Sequence, residues 1–167
     1  MLAVDVGRKG CDSVICVFKV TPQSQGGSIK SLVNLYTLSD EHFEDQTIKL
    51  KKLYYKYNAD RIVIDGNGLG IGLIDYMVKT QIDPETNEIF PDFGVVNDDD
   101  LFYKKYKTSN TVLDAMYIIK ANAPLNTEAH AIAKSQLASG KVKFLIDERV
   151  AKNKLLAKKK GQTMTPE

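Results

Sequence analysis

A chain of 167 residues with 43% hydrophobic and 26% charged side chains, 11 Gly and 5 Pro is long enough to bury one core, and its balance excludes disordered, collagen-like and low-complexity classes. Apolar runs stop at five or six residues, which excludes a membrane-spanning helix, and Met1 leads into a strand-like segment with no basic stretch or cleavage site of a signal peptide. A net charge of +2 announces no polyanion partner, and two cysteines, Cys11 and Cys16, cannot build a disulfide framework or a four-cysteine zinc site, which points to a reducing, cytoplasmic setting.

Leu2 to Val6 and the β-rich run Val14 to Val20 flank Gly7 to Ser13, whose turn chemistry predicts a hairpin. A polar loop, Thr21 to Ser28, leads to a third strand over Lys30 to Leu38. Ser39 or Asp40 is the expected N-cap of a helix with Phe43, Ile48, Leu50, Leu53, Tyr54 and Tyr57 on its apolar face and Glu41, Glu44 and Asp45 in its first turns. Arg61 to Ile64 is a short buried strand. Gly66 to Gly72 opens a second helix, Asp83 to Pro91 is a turn-rich insertion, and Phe93 to Asn97 is another strand. Val112 to Ile119 fits helix or strand, and the following Lys120-Ala121-Asn122 favours helix. Thr127 caps a further helix that Gly140 stops, Lys141 to Ile146 alternates as a strand, and Ala151 to Lys160 is a basic helix. Three strands in a meander followed by alternating helices and strands predict a single α/β domain over 1–167 with a mixed sheet.

Charge is unevenly placed. Eight Lys and Arg fall between Lys141 and Lys160; Lys104, Lys105 and Lys107 form a second cluster interleaved with Phe102, Tyr103 and Tyr106; Asp98, Asp99 and Asp100 form an acidic one. Each is an ordinary solvated surface unless a site lies nearby, in which case the lysines would add salt-sensitive, sequence-blind affinity for a DNA backbone.

Two aspartates stand out by position. Asp5 lies within the apolar Leu2-Ala3-Val4-Asp5-Val6, and Asp65 ends Ile62-Val63-Ile64-Asp65. A buried lone carboxylate is costly and normally pairs or binds a cation. The two acids are neighbours if the fourth strand lies beside the first, and a divalent cation relieves their repulsion. Oxygen ligands without a His or Cys cluster favour Mg²⁺ or Mn²⁺ over zinc. The run Gly66-Asn67-Gly68-Leu69-Gly70 would let backbone approach a ligand, or simply close a tight strand-to-helix turn. It has neither the dinucleotide-binding spacing nor the phosphate-binding loop of an ATPase.

These residues carry a resemblance. Leu2 to Gly10 with Asp12-Ser13-Val14 resembles the opening of a ribonuclease H-like fold. Arg61 to Tyr76, Ala115 to Ala121 and Gly140 to Ile146 are similar to the nuclease domain of phage large terminase subunits. The resemblance implies a ribonuclease H-like mixed sheet flanked by helices. It also implies a metal-dependent endonuclease that cleaves concatemeric double-stranded viral DNA in the host cytoplasm. Asp5 and Asp65 fall on the family's first two metal-binding carboxylates, and the implied cofactor is a two-ion Mg²⁺ or Mn²⁺ site, the ions roughly 3.5–4 Å apart, one activating water and one stabilising the leaving oxygen. The implied partners are DNA, the terminase ATPase domain, the small terminase subunit and the portal.

The family's third acid lies on a late helix. Asp147 follows the Lys141 to Ile146 strand closely and is a substitute of poor match, so the expectation is a fragment without the ATPase before it and the catalytic helix after it. Competing readings are a junction resolvase-like nuclease, an actin-like phosphotransferase or ATPase fragment, and a non-catalytic DNA- or portal-docking module. Asp12, Asp114, His42 and His130 are expected to be turn or surface residues.

Overall fold

Leu2, Val4, Ile62 and Ile64 alternate with less covered residues along two four-residue strands, the period-two pattern of a sheet with one buried face. They belong to the centre of a seven-stranded mixed sheet in the computed structural model, which describes residues 1–7, 9–106, 112–145 and 153. The elements in chain order are β1 (Leu2–Asp5), β2 (Ser13–Pro22), β3 (Ser28–Leu38), α1 (Phe43–Lys56), β4 (Ile62–Asp65), α2 (Leu69–Met77), β5 (Gln81–Ile82), β6 (Ile89–Phe90), β7 (Phe93–Val95), a 3₁₀ turn (Lys104–Tyr106), β8 (Leu113–Ile119), α3 (Ala123–Ala138) and β9 (Val142–Lys143).

The strand order is β7-β8-β4-β1-β2-β3-β9. β1, β2 and β3 form the antiparallel meander, with a bulge between Val17 and Phe18; β4 lies parallel to β1, β8 parallel to β4, and β7 parallel to β8. The ends of β1, β4, β8 and β7 therefore share one edge. Ile15, Val17, Met116 and Ile118 join Leu50 and Leu53 of α1 and Leu73, Ile74 and Met77 of α2 in one core. On the other face Ala3, Cys16 and Val63 are half-buried, while Leu35, Tyr117 and Ile119 are exposed. α3 buries none of its residues; Lys30 Nζ donates to Gln136 Oε1 at 3.1 Å, linking it to β3.

The expected hairpin, third strand, first two helices and mixed sheet are present. Three readings need correction. Val112 to Ile119 is strand from Leu113: its apolar residues occupy both faces of a segment that pairs with β4 on one side and β7 on the other, and this ladder outweighs any helical preference. The α1 N-cap is His42 without a side-chain bond, because Asp40, at φ 54, turns its carboxylate to the Gly10 amide at 2.9 Å. α3 begins earlier than expected: Asn122 caps it by accepting from the Leu125 amide at 2.9 Å, Pro124 sits in its first turn, and Thr127 returns its hydroxyl to the Ala123 carbonyl. The turn-rich 83–91 insertion is present as expected, framed by a two-stranded hairpin, β5 with β6. Gly140, at φ 67, ends α3 as expected, with the Lys141 amide reaching the Gln136 carbonyl. The strand expected to Ile146 is described only as Val142–Lys143, parallel to β3; Ile146 and the basic stretch, except an exposed helical Asn153, lie outside the described residues.

α1 carries an unexpected buried lysine. Lys51 is fully covered, and its ammonium donates to the carbonyls of Lys79 (2.6 Å) and Pro91 (2.7 Å), tying the end of α2 and the approach to β7 onto α1. Burial pushes its pKa down to about 8, with the nearby Asp92 charge acting in the opposite direction.

Candidate carboxylate site at the sheet edge

The β1–β4 ladder pairs Leu2 with Ile62, Ala3 with Val63 and Val4 with Ile64. Its next step sets Asp5 level with Asp65, on adjacent strands about 4.8 Å apart. Pleat alternation puts both on the face of Ala3 and Val63, the less covered one. The two acids are thus neighbours across adjacent strands, as expected where the fourth strand lies beside the first, at the carboxyl ends of parallel strands, where open α/β sheets hold their ligands. The expectation that they are buried is corrected: each closes its strand and is exposed, because the covering helices lie on the opposite face.

Each acid is followed two residues on by a fixed peptide. Asp65 Oδ1 accepts from the Asn67 amide at 3.0 Å, and Asn67 Nδ2 donates to the Ala121 carbonyl at 2.8 Å beyond the end of β8. After Asp5, the Gly7 amide donates to Ser13 Oγ (2.8 Å), and the Gly7 carbonyl lies within reach of both Ser13 Oγ (3.0 Å) and Gln46 Nε2 (3.2 Å). Ser13 and Gln46, 1% and 2% exposed, also meet each other at 2.7 Å, and Gln46 Nε2 donates to the Glu41 carbonyl. Sequence reasoning passed over Ser13, Gln46 and Asn67. Asn67 carried a signal, since Asp-Gly-Asn-Gly is turn chemistry; Gln46, a polar residue on an α1 position that packs inward, carried none.

The glycine run builds the turn rather than a ligand cradle. A Cβ on Gly70 would stand 1.7 Å from the Asp65 carbonyl oxygen, and one on Gly66 2.3 Å from Ile118 Cγ2, so both glycines admit this chain's own atoms. Gly68, at φ 55 and with open space around it, supplies the backbone conformation that starts α2.

Beside Gly66 a cavity of about 940 Å³ opens between α3 and the sheet edge. Val95, Tyr117, Ile119 and Leu125 form apolar wall, and among the described lining residues Asp98 to Asp100 against Lys120 make its polar part acidic. That charge does not suit a phosphate backbone. Asp98 is already engaged, accepting from the Tyr103 and Lys104 amides at 2.9 Å each. Lys104 and Lys105 are exposed on the adjacent turn; the Lys105 ammonium rests 4.2 Å from the Phe102 ring centroid and 5.0 Å from that of Tyr106. Lys107 lies outside the described residues. Asp12, Asp114, His42 and His130 are exposed, as expected.

Two accessible carboxylates on one face suit Mg²⁺, which retains several waters and is held through one or two carboxylates. Among the described residues no group of three or more metal-binding side chains occurs, and Asp147 lies outside them. Comparisons with protein-family models, with curated proteins and with solved structures return no match.

Proposed function

We propose that this chain is a metal-dependent DNA endonuclease domain of ribonuclease H-like fold, of the kind found in phage large terminase subunits. The observation that carries the reading is the registered pair Asp5 and Asp65 at the ends of adjacent parallel strands. The order β3-β2-β1-β4-β8, antiparallel through the meander and parallel thereafter, is compatible with that fold.

In this reading Asp5 and Asp65 hold Mg²⁺ or Mn²⁺, which supplies an activated water and neutralises charge developing on the phosphate and leaving oxygen. The chain's own contribution is placement. Parallel pairing sets the two carboxylates side by side, the Asn67 amide fixes one oxygen of Asp65, and the exposed face lets a phosphodiester approach. Lys104 and Lys105 offer sequence-independent contacts to the backbone of double-stranded DNA. The partners proposed from the same resemblance are the packaging ATPase domain, the small terminase subunit and the portal, in the host cytoplasm.

The test is plasmid nicking in Mn²⁺ by the wild type and by Asp5→Asn. Loss of one ligand of the pair is expected to lower the rate at least about a hundredfold, in line with losses seen on removing electrostatic transition-state stabilisation. Equal cleavage by the variant removes Asp5 from the chemistry and the reading with it.

A further inference from the structure

The turn after Asp5 contains more buried polar chemistry than a hairpin needs. Ladder pairing of β1 ends at Asp5 with Val14, and the Gly7 peptide beyond it is buried, with no strand partner among the described residues. Ser13 and Gln46 take its place. The Ser13 hydroxyl accepts from the Gly7 amide and can return its proton either to the Gly7 carbonyl or to Gln46 Oε1, while Gln46 Nε2 spans the carbonyls of Gly7 and Glu41. No room exists for slack: a Cβ on Gly7 would lie 2.3 Å from the Asp12 carbonyl oxygen. α1 is thereby bonded to the backbone two residues beyond Asp5.

We infer that Ser13 and Gln46 are positioning residues for Asp5, fixing the end of β1 so that its carboxylate stays level with Asp65. The inference rests on the proposed metal-dependent reading. Neither side chain reaches the exposed face; they act through the backbone of Gly7. A buried polar network that is fully satisfied specifies one arrangement, whereas a partly satisfied one loosens it, and loss of a group that orients a metal ligand commonly weakens metal affinity 10- to 100-fold.

The experiment measures Mn²⁺ binding to the full chain, by the loss of the free-ion signal in electron paramagnetic resonance, together with thermal unfolding. The proteins are the wild type, Ser13→Ala, Gln46→Met, Asp5→Asn and the control Ile15→Val, which trims the core beside the latch without touching its hydrogen bonds. Gln46→Met retains the Ser13–Gly7 bonds, so it keeps the test available should Ser13→Ala not fold. Expected is about tenfold weaker Mn²⁺ binding in both latch variants, with unchanged affinity in Ile15→Val even where its melting temperature falls as far. Wild-type affinity in folded latch variants, with Asp5→Asn impaired, overturns this inference and leaves the metal reading standing. Absence of Mn²⁺ binding by the wild type overturns both.

Discussion

Replacing Lys51 by Met tests the energetics of the core under the sheet. In the folded chain the Lys51 ammonium is fully buried, bonded to the Lys79 and Pro91 carbonyls and 5.2 Å from the Phe93 ring centroid. Its pKa falls from 10.5 to about 8, chiefly through desolvation. Between those values the unfolded chain binds the proton that the folded chain has released, so stability contributed by this group rises with pH. Below pH 8 both states are charged and the folded state bears the full desolvation cost. The gap in proton affinity, at about 1.4 kcal/mol per tenfold, amounts to about 3 kcal/mol. Lys51→Met loses this pH dependence together with the two hydrogen bonds. Urea unfolding of both proteins from pH 7.5 to 10.5 is the assay, and the tyrosines titrate in both and cancel in the difference. The wild type is expected to gain about 3 kcal/mol on the variant across that range. A difference that stays flat with pH refutes the claim that Lys51 is buried as a destabilised cation.

Gly70→Ala should destabilise by about 1–3 kcal/mol, since its Cβ would fall 1.7 Å from the Asp65 carbonyl oxygen and the strand end must move; a melting curve like that of wild type would show that the turn yields freely. Asp83, held down to about 2 by the Lys52 ammonium and the Thr86 hydroxyl, contributes stability that is present above its ordinary value of 3.8 and fades as pH falls through about 2. Asp83→Asn should therefore be the less stable protein at pH 6, with the difference closing in acid, as followed by circular dichroism; a gap independent of pH would contradict the ion pair.

What could be read from the sequence was whatever rests on period and on local chemistry. The meander showed in the alternation of Val14 to Leu38, and the carboxylate pair showed because an acid at the end of an apolar strand is conspicuous. β8 was missed because Leu113 to Ile119 is apolar on both faces, which makes helix and central strand indistinguishable until neighbours are known. The burial of the acids was misjudged for a related reason: which face of a sheet the helices cover is decided by packing, and Asp5 and Asp65 are on the uncovered one. Lys51 and Gln46 have no local signature at all. Their roles depend on the Pro91 carbonyl and on Gly7, about forty residues away along the chain in each case.

The central place of β1 also shapes how the protein folds. Its antiparallel partner β2 is a turn away, whereas its parallel partner β4 begins at Ile62, and β4 in turn pairs with β8 beginning at Leu113. Closing those longer loops costs entropy before any contact repays it. The hairpin can therefore form while the two carboxylates are still far apart, and their meeting belongs to the late, non-local part of assembly. A nascent or partly unfolded chain would expose Asp5 on an ordered hairpin without Asp65 beside it. If the pair holds a cation as proposed, that binding would report completed folding and would slow the opening of the β1–β4 seam.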